Sequence, residues 1–314
     1  MGRYVLKRLG LTAITLVLVS FAVFAAAEVL PGDVGRTILG PYASQQQVDQ
    51  LNHQLGADEP LVKRYFTWAG NFVQGDWGTS PIQNVEVRPL VLERLKNSLI
   101  LGGFALLLIV PFSVALGVFA ALHYGKALDR VISIAGLSFV ALPEFVVGVV
   151  VIVVFAVQLG WLPVSSQVPE PNPVDIVRQC LLPSIPLMFV LFGYISRMAR
   201  AGTIEALRSN YTRTAVLKGL PRRYIIVRHV LRNALLPTIA VVSVQVGYLV
   251  GGLVVVETLF NYPGIGQLIL NAANGHDLPT LEASVLMIAL IYTVANFTAD
   301  VLSALLNPRV RLAT

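Results

Sequence analysis

Long apolar runs punctuate this sequence, and they leave it few ways to fold. Several of them reach roughly 20 residues, the length that crosses about 30 Å of hydrocarbon as an α-helix. Inside a bilayer no water is present to satisfy the backbone, so a spanning segment must bond to itself, and runs this long do so as helices rather than as barrel strands. Charged residues are only 13% of the chain and apolar residues 55%, with a mean hydropathy of +0.72. A soluble domain carries about 25% charged residues. The chain is expected to be an all-α integral membrane protein.

Taken in order, the runs predict six spans. The first, up to about residue 29, follows Arg3, Lys7 and Arg8. Its basic start and the Ala25-Ala26-Ala27 stretch resemble a signal peptide, but the apolar core is longer and continues to Val29-Leu30, so an uncleaved first span is expected. The second covers about 97–123, and Lys126 and Arg130 follow it. The third, about 132–157, is interrupted at Leu142-Pro143-Glu144, where proline frees a backbone carbonyl and permits a kink or break. The fourth, about 181–194, is short and is expected to continue through Met198. The fifth, about 235–256, holds Gly247-xxx-Gly251, a pattern suited to close helix contact or to a flexible helix. The sixth runs from about 283 to 306, and Arg309 and Arg311 end the chain. Basic residues mark cytoplasmic loops. The connection around Gly160-Trp161-Leu162-Pro163 to Asp175 and the stretch from Glu257 to Glu282 lack that basic excess and read as external. Both termini are then cytoplasmic.

Residues 31 to 96 form the one extended polar region, with charges of both signs. About 45–55 and 61–73 are expected as amphipathic helices, the second with Tyr65, Phe66, Trp68 and Phe72 on its apolar side, ended by a turn at Gly75-Asp76-Trp77-Gly78. This external loop region caps the outer face of the membrane core. The expected division is residues 1–93, the first span with its loop region, and residues 94–314, a five-helix core.

The basic stretch between the fourth and fifth spans is the most informative. Arg197, Arg200, Arg208, Arg213, Lys218, Arg222, Arg223, Arg228 and Arg232 stand against the single acid Glu205, a larger excess than the +6 of the whole chain. A cluster of this kind anchors topology, and alone it need do no more. Here it has internal design as well: a short helix ending at Gly219, a turn at Leu220-Pro221, and a second helix returning to the membrane. The basic pI of 9.6 is explained by this placement rather than by nucleic-acid binding.

Chemistry of other kinds is missing. There is no phosphate-cradling Gly-x-x-x-x-Gly-Lys-Ser/Thr loop, no His-Glu-x-x-His and no Gly-x-Ser-x-Gly elbow. Gly264-Ile265-Gly266 has Ile269 where a dinucleotide fingerprint needs its third glycine. His53, His123, His229 and His276 lie in separate loops, and Cys180 is the lone cysteine, read as a small buried residue. Ion-driven carriers place ionisable groups in mid-span, whereas Glu144, Glu257 and Asp300 lie near helix ends. The chain carries no evident energy source of its own.

Several motifs together resemble the permease subunits of binding-protein-dependent ABC importers of the dipeptide, oligopeptide and nickel type. They are Leu30-Pro31-Gly32-Asp33, with Val34 where proline is frequent; Leu55-Gly56, Pro60-Leu61, Tyr65 and Gly75-Asp76-Trp77-Gly78-Thr79-Ser80; and Gly160-Trp161-Leu162-Pro163. The most specific are Tyr211-Thr212-Arg213-Thr214-Ala215 with Lys218-Gly219-Leu220, then Arg228 through Pro237, and Glu257 through Gly266. Pro308, Arg309 and Arg311 match the family's ending. The resemblance covers nearly the whole chain and implies a type I importer permease fold of about six transmembrane helices in the cytoplasmic (inner) membrane of a prokaryote.

It implies, further, that Asn210, Tyr211, Arg213, Thr214, Ala215, Lys218, Gly219 and Leu220 form a coupling helix that seats in a groove of an ATPase subunit. Ala215 and Gly219, four apart, would share the face that approaches the partner, with Arg213 and Lys218 at its rim. Asn210 and Val216-Leu217 depart from the family's usual acid and Arg-Ala. Pro143, Gly247 and Gly251 are candidates for the pore lining, and Glu257, Phe260 and Pro263 for an outer gate; packing or turn roles explain the same residues equally well. The implied partners are two ATPase subunits, a second homologous permease, an extracytoplasmic substrate-binding protein and the lipid bilayer, with no nucleic acid. The chain itself would hold no cofactor and catalyse nothing, ATP and Mg being bound by the ATPase subunits. Short peptides are the expected cargo. Nickel, glutathione, opines or oligosaccharides fit the same scaffold. An ion-coupled secondary carrier or a membrane-embedded enzyme would need buried ionisable or clustered catalytic residues that the spans do not offer.

Overall fold

Apolar length becomes helix wherever the chain can be followed. The computed structural model describes residues 2–29, 39, 42–54, 60–163 and 172–306. The Leu30-Pro31-Gly32-Asp33 and Leu55-Gly56 motifs, Val34 and the ending from Pro308 to Arg311 lie outside the described residues. Twelve helices are labelled here: α1 Gly2–Val29, α2 Gln45–Gln54, α3 Leu61–Gln74, α4 Val87–Leu122, α5 Ala127–Ala141, α6 Glu144–Gln158, α7 Pro173–Arg208, α8 Asn210–Leu217, α9 Arg222–Ala234, α10 Leu236–Leu259, α11 Ile265–Gly275 and α12 Leu278–Leu306. Among the described residues the only β pairing is an isolated bridge between Thr79 and Glu86.

Helices α1, α4, α7 and α12 are each long and apolar enough to cross a membrane, and the count reaches six when each of two bent pairs is taken as one span. The first pair is α5 and α6, which meet at 101°. Leu142 and Pro143 are extended there, so the proline breaks the helix outright rather than kinking it. The second is α9 and α10, bent by 46°, with Pro237 in the first turn of α10, where the missing N–H costs nothing. The fourth span is longer than expected. It is part of a 36-residue helix that begins at Pro173, capped by Asn172, and passes through Pro183 and Pro186 to Arg208. The stretch after the fifth span departs more: α10 continues to Leu259, and α11 occupies residues expected as loop.

The chain divides into two compact units, both discontinuous in sequence. One comprises Met1–Lys7, Leu99–Tyr262 and Val294–Thr314. Its core is layered around α7: Leu182, Leu187, Leu191 and Ile195 pack with Leu101, Ala105 and Ile109 of α4, Val147 and Val151 of α6, and Leu249, Leu253 and Val256 of α10. Within a bilayer such contacts hold by close packing rather than by release of water, so small residues decide how near helices come. Gly193 of α7 faces Gly136 of α5 so closely that a Cβ would collide with the Gly136 carbonyl, and Gly117 of α4 abuts the Ser196 carbonyl in the same way. Gly251, half of the pattern noted in the sequence, has nothing within 4 Å. The close approaches at Gly117, Gly136 and Gly193 lie outside that pattern. Cys180 is buried with its Sγ 3.9 Å from the Tyr262 hydroxyl, and burial holds the Tyr262 pKa well above the usual phenol range.

The other unit comprises Arg8–Ser98 and Pro263–Thr293. Tyr65 of α3 inserts between Phe21 and Phe24 of α1, its hydroxyl 2.8 Å from Ser20 Oγ. Gly75, left-handed at φ 93, ends α3, and Trp77 folds back to stack on Phe72 at 4.6 Å. A second cluster joins Val87, Val91 and Leu95 of α4 to Ile265, Leu268 and Ala283. Polar ties join segments far apart in the chain: the Ile265 N–H donates to Ser98 Oγ (2.8 Å), Asn97 Nδ2 donates to the Pro263 carbonyl (2.9 Å), and Ser80 Oγ donates to Asp277, whose other oxygen accepts from the Thr280 N–H.

Candidate functional site

The basic stretch folds as a braced hairpin. Helix α7 runs to Arg208, and the chain then turns at Ser209, which is extended. The hydroxyls of Ser209 and Thr212 both donate to the Ala206 carbonyl, at 2.6 and 2.7 Å. These bonds satisfy a carbonyl that the helix end leaves open and fix the angle at which α8 departs. Thr212 and Ala215, three apart, form the inner face of α8, both about 5% exposed. They lie over a small core of Ala206, Ile225, Val230 and Ala234, with Leu207 and Leu220 against it. At the base of the hairpin Gly202 of α7 abuts the Ala234 carbonyl so closely that any side chain would collide with it.

Helix α8 ends in a Schellman turn. The Gly219 N–H donates to Val216 (2.9 Å) and the Leu220 N–H to Ala215 (3.4 Å), while Gly219 is left-handed at φ 72. Only glycine takes that conformation without strain. Leu220 then folds back on Ala215, the apolar contact that accompanies this motif. The two residues expected to present a common face to a partner are therefore separated. Ala215 is buried in its own chain, and Gly219 caps the helix with open space around it.

The surface left free is the other face of α8. Asn210, Tyr211, Arg213, Thr214, Val216, Leu217, Lys218 and Gly219 are all exposed, with Leu220 half-buried. Leu217 is 79% exposed and Val216 60%. Sequence reasoning passed over these two as departures from a pattern, yet they form an apolar centre ringed by Arg213 and Lys218. Such a patch is the composition of a docking surface.

Beside it the structure adds residues the sequence did not single out. An open cleft of about 700 Å³ is lined by Tyr124, Arg200, Ala201, Ile204, Glu205, Arg208 and Ser209. The guanidinium groups of Arg200 and Arg208 lie 5.5 and 5.4 Å from the Tyr124 ring centre, within cation–π range. Arg200 is also held by Asp129, with Nε–Oδ1 2.5 Å and Nη2–Oδ2 2.8 Å, and the Gly125 N–H donates to the same carboxylate. Asp129 is 3% exposed. This bidentate pair joins the first turn of α5 to the C-terminal part of α7. The one signal in the sequence was an acid among the basic residues Lys126 and Arg130.

The residues expected along a pore fall into two groups. Pro143 and Gly251 are exposed and Gly247 half-buried. Glu257 and Phe260 are fully buried in the first unit, and Pro263 belongs to the second. Gly252, the neighbour of Gly251, makes the tighter contact, since a Cβ there would lie 2.8 Å from Glu144 Oε2.

Comparison with known proteins adds three findings. The family described as "Binding-protein-dependent transport system inner membrane component" has a model that matches residues 113–312. A model for the N-terminal part of the membrane component of such systems matches residues 1–84. The glutathione transport system permease protein GsiC of Escherichia coli strain K12 is 35% identical over 314 residues, 99% of each chain. The same protein from Shigella dysenteriae serotype 1 and from Shigella flexneri serotype 5b matches to the same extent.

Proposed function

The chain belongs to the family of binding-protein-dependent transport system inner membrane components, and from that membership we propose that it carries short peptides inward under the control of ATP. It is the multi-pass permease subunit of an ABC importer, which works with a substrate-binding protein and ATPase partners. On this reading two ATPase subunits bind the ATP and Mg, a second homologous permease completes the pathway, and the termini and the basic hairpin face the cytoplasm.

The observation that carries the proposal is the braced hairpin. Work done by ATPase subunits reaches the spans only through rigid contact. Helix α8 is tied to the end of α7 by Ser209 and Thr212 and to α9 by the core under Ala215. A push on its free face is therefore delivered to α7, around which the unit's core is built, and to the bent pair α9 and α10. ATP binding draws the two coupling helices together and turns the pathway toward the binding protein; hydrolysis resets it. An outer-gate role for Glu257 and Phe260 requires that this movement uncover them, since both are buried. The relatives are named for glutathione, a tripeptide, which supports the peptide class and favours glutathione itself as the second reading.

Uptake of radiolabelled trialanine by proteoliposomes of the assembled transporter, challenged with unlabelled competitors, tests the substrate. Di- and tripeptides are expected to compete, and nickel, opines and oligosaccharides to have no effect. Uptake of labelled glutathione by a complex that takes up no trialanine would replace the peptide class with that single substrate.

A further inference from the structure

Glu144, expected from the sequence near a helix end, opens α6 at the break of a bent pair, which sets it within the span when the pair is taken as one. One of its carboxylate oxygens, the buried Oε2, is left without a hydrogen-bond partner among the described residues. The carboxylate presses against α10 at Gly252, where the absence of a side chain makes room for it, with Leu187 of α7 on the other side. An unpaired carboxylate oxygen away from water is unfavourable unless something binds it. Ionisable groups within spans face a water-filled path or the interior of a bundle, and they mark where substrates pass.

The residues nearby extend the pattern. Tyr248, one turn before Gly252 on α10, is 50% exposed. Tyr194 is the one exposed residue of α7 between 181 and 196. Arg197, a turn further, is exposed and stands 6.0 Å from the Tyr194 ring centre. Glu144, Tyr248, Tyr194 and Arg197 thus form a polar strip across α6, α10 and α7, while the surrounding exposed residues Phe145, Val149 and Val244 are apolar. Glu144 within the span is the member of the strip that a lipid-facing surface does not accommodate.

We propose that this strip lines the substrate path and that Glu144 receives the ammonium group of the cargo, a site that rests on the peptide reading given above. A short peptide carries an ammonium at one end and a carboxylate at the other. Glu144 at one end of the strip and Arg197 at the other match those charges, and the tyrosine faces between them attract a cation without selecting a side chain.

The test is Glu144→Gln in the complete transporter, reconstituted with saturating binding protein, with trialanine as cargo. Glutamine fills the same space, so a structural role survives the change. The variant is expected to take up trialanine at about a tenth of the wild-type rate or less, with binding-protein-stimulated ATP hydrolysis retained. Glu144→Asp, which keeps the charge, is expected to recover part of the uptake. Unchanged uptake in Glu144→Gln overturns the proposal, and so does a joint loss of uptake, hydrolysis and assembly, which marks a structural residue. A wild-type complex that hydrolyses ATP but moves no trialanine fails the peptide reading, and this site with it.

Discussion

Leu217 is the side chain whose place in the structure most changes how the sequence is read. Beside a motif it looks like a deviation, yet it is the most exposed apolar residue of α8. Gly219, by contrast, serves the fold: its left-handed φ ends α8 and lets Leu220 return to Ala215. Leu217→Asp is therefore expected to reduce co-purification of the ATPase subunits about tenfold or more while leaving the thermal midpoint of the isolated chain unchanged. Quantitative pull-down beside a melting curve checks both halves. The Asp129–Arg200 pair makes the opposite prediction. Arg200→Met leaves the Asp129 carboxylate buried without its partner, at a cost on the order of 3 kcal/mol. Adding Asp129→Asn to that variant is expected to recover most of the loss in the same melting experiment, since no charge is then stranded.

At the scale of elements, the spans were legible because a bilayer constrains length and backbone bonding at once, so apolar runs read directly as helices. The hairpin was legible for a different reason: Gly219, Leu220 and Pro221 carry local turn chemistry that needs no tertiary context. Helix α11 was not. Its residues lie among glycines and acids that read as loop, and its start depends on Ser98, 167 positions earlier in the chain. Contacts between helices were equally hidden. Glycine pairs such as Gly136 with Gly193 meet across different helices, so no spacing within one segment reveals them. The pattern that spacing did reveal, Gly247 with Gly251, leaves Gly251 open on the surface of α10. The break at Pro143 was visible, but its 101° turn depends on the packing of α6 against α7.

At the scale of the whole molecule, the permease moves cargo with energy that, on the proposed reading, ATPase partners deliver through one small helix. What the sequence made plain was this division of labour: long spans, a basic hairpin and no phosphate cradle. Which residues meet the cargo was not readable, because Glu144, Tyr194 and Tyr248 come from three helices and no motif joins them. The direct test of the central claim is uptake of labelled trialanine by proteoliposomes holding the complex purified through this chain in gentle detergent, with ATP present or absent inside. The account predicts co-purified ATPase subunits and uptake only when both ATP and the binding protein are supplied. Uptake by this chain alone, without ATP and driven by an ion gradient, would contradict it.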